Sequence, residues 1–338
     1  MRHTLTFVIL TLLALSSHAQ VKTSLTSPNG RLKVTVDADK QVIYSITDQG
    51  TPLLEQSVAD IQLVGAKQHH FVSASKPRLF KETIEAPFAK INVVNDEYTG
   101  ITLKNANGLN IELRAYNSGI AYRWIVPSKS WIVSQETADF RFSGDYTAYL
   151  PYSTNPDKPK AMAFQATYDV APLSQSKDLE AFLPATVDCK GAKVTLLETD
   201  VKGYPGMFVK GSRQMLSASF ACYPKTFDFY AWRQQKYVTS TENFIAQGQA
   251  PASLPWRIIA VTHEDKEMPT LSSPSRIKDT SWITPGKVAW DWWNDWGISG
   301  VDFKAGINQD TYKYIIDFAS QNHLEYIILD EGWYDPKS

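Results

Sequence analysis

A chain of 338 residues is long for one ordinary domain and suits two. Its 43% hydrophobic and 20% charged residues exclude a disordered chain, and 34 Lys+Arg against 35 Asp+Glu leave a charge of -1, with no basic surplus or block to hold nucleic acid or an anionic membrane. Two cysteines exclude a disulfide scaffold and leave one bridge, Cys189 to Cys222, as an open question.

At the amino terminus, Arg2 and His3 precede the apolar run Leu5–Leu15, and Ser17-His18-Ala19 places small residues where a signal peptidase cuts. A run of about eleven residues is too short to cross a ~30 Å hydrocarbon core. The pattern predicts a cleaved secretory signal over 1–19, a mature chain from Gln20, and export to a periplasm or beyond. With no Cys at the cleavage point, no membrane anchor is expected.

From Val21 to about Val261 the spacing is that of strands. Residues 31–37, 41–46, 100–104 and 109–116 alternate polar and apolar side chains, the last two around the turn Asn105-Ala106-Asn107-Gly108. Many strands with little helical periodicity predict packed antiparallel sheets, a large β-sandwich over 20–268. Residues 269–286, rich in Pro and Ser, read as a linker.

The remainder changes period. Lys287–Trp293 is strand-like, Asn308–Asn322 has helical spacing with Tyr312, Ile315, Ile316 and Ala319 on one face and Asn308 as cap, and Glu325–Asp330 is an apolar strand ending in charge. Strand, helix, buried strand is a βαβ unit, so the expected fold is a β-rich super-sandwich followed over 287–338 by the first βαβ portion of an incomplete (β/α)8 TIM-type barrel.

Chemistry is expected at the carboxyl ends of barrel strands. These carry Asp291, Trp292 and Asn294 on one strand and Asp330, Glu331 and Trp333 on the next. Carboxylates beside indoles suit a sugar, whose hydroxyls take hydrogen bonds and whose C–H faces stack on rings; the 10 Trp and 16 Tyr agree with that chemistry. The plainer reading is that the indoles fill the barrel mouth and the acids cap loops. The six His show no metal-ligand spacing, and His69-His70 reads as a loop pair.

The run Pro285-Gly286-Lys287-Val288-Ala289-Trp290-Asp291-Trp292-Trp293-Asn294, continuing through 301–308 to Tyr326-Ile327-Ile328-Leu329-Asp330-Glu331-Gly332-Trp333, resembles glycoside hydrolase family 97. Residues 114–124, Tyr204-Pro205-Gly206-Met207 and Pro255-Trp256-Arg257 resemble that family's amino-terminal domain. The resemblance implies an exo-acting, calcium-requiring α-glycosidase of the bacterial periplasm with an oligosaccharide substrate. Trp290-Asp291-Trp292-Trp293-Asn294 looks closer to the family's retaining α-galactosidases than to its inverting α-glucosidases. It also implies that no catalytic carboxylate lies within 1–338, that Asp330, Glu331, Trp333, Asp291, Trp292 and Asn294 bind substrate, and that Glu198 lends an oxygen to calcium, with Asp200 the weaker candidate. For these residues taken alone, a non-catalytic carbohydrate-binding sandwich, or one that only braces a barrel, stays open, as does Glu198 as a solvated strand-end acid.

Overall fold

The computed structural model describes residues 20–85, 91–155, 160, 165–230, 236–270 and 281–334. The expected signal, 1–19, and most of the expected linker, 269–286, lie outside them. Two compact units result, the first drawn from Met1–Glu82, Asn95–Tyr223 and Asn243–Leu271, the second from Thr83–Val94, Pro224–Glu242 and Ser272–Ser338. The expected sandwich ran unbroken from 20 to 268. Among the described residues Pro224–Phe229 and Lys236–Thr241, within the span expected for the sandwich, form a two-stranded sheet of their own.

The first unit is two sheets around one core. One sheet runs in the order Val21–Thr26, Leu32–Ala38, Val42–Asp48, Thr51–Leu63, Trp131–Arg141, Met215–Ser219, Phe208–Ser212, Glu180–Ala181, with Ala246–Gly248 also on Trp131–Arg141. The other runs Asp169–Pro172, Thr147–Leu150, Ala185–Asp188, Lys193–Thr199, Trp256–Thr262, Gly119–Val126, Asn110–Tyr116, Val93–Asn105, Phe71–Ala74. Neighbours pair antiparallel. The strands read from sequence at 31–37, 41–46, 100–104 and 109–116 are all present. Their alternation is the physical cause: in Val42–Asp48 every second side chain is buried, as a half-covered sheet requires.

Side chains of both sheets meet in the core. Tyr44 of the first packs against Tyr122 of the second at 5.8 Å between ring centroids. Trp124, Phe140, Leu196 and Ile259 are wholly buried there. On the outer face of the second sheet, Arg114 and Arg123 each lie 4.4 Å from the Trp256 ring and are joined through Glu112. His69 and His70 lie in the loop before Phe71–Ala74, as expected, but His69 is drawn into the core. It is buried, stacks on Phe71 and Trp124, and has Nε2 2.5 Å from the Ile61 carbonyl. The Asn105 amide oxygen accepts from His70 N and Asn107 N, so its nitrogen donates to His69 Nδ1 at 2.7 Å, which places the imidazole proton on Nε2.

Cys189 is buried and Cys222 exposed, and both are free, which settles the open disulfide against a bond. Burial pushes the Cys189 thiol up to about 12, so it is an inert core thiol.

In the second unit, Val288–Trp290 and Tyr326–Ile328 pair in parallel, with helix α1 (Gln309–Gln321) between them in sequence. The cap is as expected: the Asn308 side chain accepts from Thr311 N at 3.0 Å. These elements form one βαβ unit and do not themselves make a barrel. Of the helix face read from sequence only Ala319 is buried; Ile316 and Phe318 are exposed, as are Val288, Tyr326 and Ile328 on the strands.

Two outcomes follow from these contacts. Limited proteolysis of this chain, followed by mass spectrometry, is expected to cut within residues 281–334 before the sandwich, because their apolar faces lack cover; a protease-resistant 281–334 segment would overturn this. Asp48 accepts from Arg31 Nε and approaches His263 Nε2, each at 2.7 Å. Burial works to raise its carboxyl pKa, but these partners outweigh it and hold the group below its ordinary value. A lowered folded pKa means stability that is present above the unfolded value of ~3.9 and lost as pH falls through the folded one. Asp48→Asn is therefore expected to lower stability by about 1–2 kcal/mol at pH 7 and to flatten the acid limb in urea melts below about pH 5.

Candidate functional site

Glu198 stands near the end of Lys193–Thr199, and its neighbours across the sheet are Arg257 and then Tyr122. Even spacing puts all three on the core face. Arg257 is 1% exposed and reaches the opposite sheet, where Nε and Nη2 donate to the two oxygens of Glu136, each at 2.8 Å. Its Nη1 donates to Glu198 Oε2 at 2.8 Å. Tyr204 closes the far side, its hydroxyl donating to Glu136 Oε2 at 2.5 Å. The guanidinium also lies 4.8 Å over the Phe220 ring and 5.6 Å over Tyr204.

The loop after Glu198 turns back on it. Asp200 and Gly203 have φ of 58° and 64°, left-handed values that fold Tyr204–Met207 against the strand end. Met207 N then donates to Glu198 Oε1 at 2.9 Å, and a Cβ on Gly206 would stand 3.3 Å from that oxygen. Glycine permits the close approach.

The electrostatics are uneven. Burial opposes the charge on Arg257, yet Glu136 outweighs it and the guanidinium is held above its ordinary value. Burial raises the Glu198 carboxyl, and Arg257 and the Met207 amide offset this only in part. With both carboxylates ionised, two negative charges meet one positive, and the uncompensated one sits at Glu198. At 15% side-chain exposure Glu198 is neither sealed nor a solvated strand-end acid. Asp200, by contrast, is exposed.

Each Glu198 oxygen accepts one hydrogen bond and keeps a second lone pair, so the group suits a hard cation as one oxygen ligand. Calcium takes six to eight. Among the described residues no cluster of three or more His, Cys, Asp or Glu could hold a metal, so Glu198 is at most one donor of a shell.

The second candidate region is the pair of strand ends, where the chain leaves Val288–Trp290 through the tight turn Asp291–Asn294. Asp291, expected to touch sugar, is 1% exposed, and Asp330 N donates to both its oxygens at 3.1 and 3.2 Å. It braces the second strand end from behind. Asp330 is oriented in turn: Trp290 Nε1 donates to Oδ2 at 2.9 Å and Glu331 N to Oδ1 at 2.7 Å. The Tyr312 hydroxyl is raised by burial first and by the Asp291 charge second. Asn294 closes its own turn, Nδ2 donating to the Gly297 carbonyl at 2.6 Å. Trp292 stands edge-on to Trp296, Trp333 edge-on to Tyr334, and both indoles are exposed, as is Glu331. Trp292, Glu331 and Trp333 are thus exposed and Asp330 half-buried, whereas Asp291 is sealed.

The pattern described as "Glycosyl-hydrolase 97 N-terminal" matches residues 25–272, and "Glycoside hydrolase 97" matches 292–338. The chain belongs to glycoside hydrolase family 97. Within this family it is 39% identical, over 350 aligned residues, to a retaining alpha-galactosidase of Bacteroides thetaiotaomicron, covering 97% of this chain and 53% of that one. A probable retaining alpha-galactosidase of Streptomyces bingchenggensis is 25% identical, covering 95% and 48%. The chain thus spans about half the length of the curated family 97 relatives it matches. Among solved structures, a family 97 enzyme of a Pseudoalteromonas strain in complex with acarbose has a TM-score of 0.68 at 19% identity, covering 90% of this chain and 46% of that one. A beta-arabinopyranosidase has a TM-score of 0.71 at 21% identity, covering 92% and 51%. These structures agree in fold.

Glu136 and Tyr204 carry roles that sequence reasoning did not assign, and Arg257 entered only through a resemblance. Local spacing gave little signal: a register shift between Val133 and Gln135 breaks the alternation of the strand that carries Glu136, and Arg257 lies in a nearly continuous buried run, Trp256–Thr262. Removing Glu136 leaves Arg257 with Glu198 as its remaining partner and takes the acceptor from its buried Nε and Nη2. Glu136→Ala is expected to destabilise the sandwich by about 3–5 kcal/mol in urea denaturation.

Proposed function

We propose that this chain belongs to a secreted, calcium-dependent retaining α-galactosidase acting on terminal α-linked sugars. One observation carries the reading: 39% identity to a retaining alpha-galactosidase, sustained over 97% of this chain. The two family 97 matches, the amino-terminal one followed by the second, support it. In this reading the βαβ unit at 288–328 opens a (β/α)8 barrel, whose further units would cover its exposed apolar faces.

Asp330 and Glu331 bind sugar hydroxyls at the barrel mouth, and Trp292 and Trp333 offer rings for the C–H faces. The nucleophile and the acid/base belong to the part of the family's length that these residues do not span. In a retaining enzyme those two carboxyl groups stand about 5–5.5 Å apart, one attacking the anomeric carbon while the other protonates the leaving oxygen. Glu198 would supply one oxygen to calcium, which when bound would provide fixed positive charge. The leader-like run before Gln20 supports export, and among the described residues no helix is long and apolar enough to cross a membrane.

An inverting α-glucosidase is the competing activity. The acarbose complex of the Pseudoalteromonas enzyme keeps it in view, at half the identity of the galactosidase relative.

The test is hydrolysis of nitrophenyl α-galactoside and α-glucoside, with calcium and with chelator, by this chain and by a version at the length of its relatives. The longer protein is expected to turn over the galactoside faster, to lose rate in chelator and to retain anomeric configuration by NMR, while this chain stays inactive. Turnover by this chain would return Asp330 and Glu331 to consideration as catalytic groups, and a preference for glucoside would replace the assignment.

A further inference from the structure

We infer that Trp290 and Asp291 are positioning residues for Asp330, holding its carboxylate in one orientation so that it receives sugar hydroxyls without having to be ordered by them. This rests on the reading of Asp330 as a ligand of the sugar and extends it to two residues behind that contact. Trp290 lies opposite Ile328 in the parallel pair, and Asp330 follows two places on, so the indole reaches along the neighbouring strand to the acid. Its Nε1 donates to Asp330 Oδ2 at 2.9 Å, while Glu331 N donates to Oδ1 at 2.7 Å. One donor from each strand end therefore fixes one oxygen, and each oxygen keeps a second lone pair for a hydroxyl.

Asp291 fixes the backbone of the same residue. It is 1% exposed, and Asp330 N donates to its two oxygens at 3.1 and 3.2 Å. Burying a carboxylate is costly, and what this one engages is a single amide. The turn that carries it is costly as well. Asp295 and Trp296 take left-handed φ of 54° and 50°, and the turn is closed by Asp295 N on the Trp292 carbonyl and Trp296 N on the Asp291 carbonyl, each at 3.1 Å. Two adjacent residues with a Cβ thus hold a conformation that suits glycine. Strain and a buried charge at the end of one strand together fix one acid at the end of the next.

Ordering a free side chain on binding costs roughly two- to tenfold in affinity, and the contacts to Trp290 and Asp291 remove that cost before a sugar arrives. An indole suits the place because its nitrogen is a donor only, on a rigid ring, so it cannot turn to compete with Asp330 as an acceptor.

The experiment uses a protein at the length of its relatives, with calcium present. It measures inhibition of nitrophenyl α-galactoside hydrolysis by galactose and its monodeoxy analogues, or the glucose series on the glucoside where that substrate is preferred. Wild type is compared with Asp330→Asn, Trp290→Phe, Asp291→Ala, Asp291→Asn and Trp131→Phe, and thermal unfolding is recorded for each. Trp131→Phe removes an indole donor from a hydrogen bond in the sandwich, to the Ala250 carbonyl at 2.8 Å, and serves as the control for lost stability alone. The hydroxyls that Asp330 contacts are those whose removal weakens wild type by about tenfold or more but leaves Asp330→Asn unaffected. For these analogues Trp290→Phe and Asp291→Ala are expected to shrink the penalty roughly threefold or more. Asp291→Asn, which keeps an acceptor for the Asp330 amide, and Trp131→Phe are expected to behave as wild type.

Equal penalties in Asp330→Asn and wild type would overturn the reading of Asp330 as a sugar ligand, and the inference with it. Penalties lost in Asp330→Asn but intact in Trp290→Phe and Asp291→Ala would leave that reading standing and overturn the inference. A change spread evenly over all analogues, or shared by Trp131→Phe, would assign the effect to general stability and also overturn it. Where Asp291→Ala does not fold, Trp290→Phe decides, because it keeps a ring in the same place.

Discussion

A charge buried between two sheets constrains the sandwich more tightly than its apolar contacts do. Hydrophobic side chains tolerate small shifts of register and rotamer, whereas Arg257 has a narrow set of positions in which each of its three nitrogens meets an oxygen. Slipping Trp256–Thr262 by one residue would turn Arg257 outward and bring Trp256 or Ile258 into its place. Glu136 would then keep only the Tyr204 hydroxyl and lie buried without a counter-charge, a costly state for a carboxylate. The ion pair selects one register among those that hydrophobicity alone would accept, and it ties the strand of Glu136 to the strand of Arg257 across 121 positions of sequence.

That constraint also organises the edge of the sandwich. With Arg257 fixed, one oxygen of Glu198 is committed to it, and the loop through Tyr204 and Met207 closes on the other, with Gly206 leaving room beside it. Adjacent residues divide the labour: Arg257 points into the core, while Trp256 points outward, where Arg114 and Arg123 cover its ring. The fold thus places a carboxylate at a controlled depth, engaged on one side and open on the other.

The strand ends of the second unit follow a related logic on a smaller scale. A buried carboxylate on one parallel strand, Asp291, holds the backbone amide of Asp330 on the next, and Trp290 sets the direction of the Asp330 carboxylate. Two acids that look equivalent in sequence therefore take different roles, one supporting and one outward-facing. The same division separates Asn294, which closes its own turn, from Trp292 and Trp333, whose rings remain exposed.

Period decided what the sequence could determine. Alternation over residues 31–46 and 100–116 marked strands, because half-buried sheets require it, and helical spacing with an Asn308 cap marked α1 to within a residue at either end. Motifs at 114–124, 204–207, 255–257 and 285–333 carried the family, which matches the chain over 25–272 and 292–338. The tertiary structure alone decided which charges meet. Glu136 and Arg257 lie on different sheets, His69 finds its partners in Ile61 and Asn105, and Asp291 turns behind Asp330; no local spacing encodes these distances. Periodicity tells which side of its own strand a residue occupies, whereas a contact depends on which other strand the fold brings opposite it.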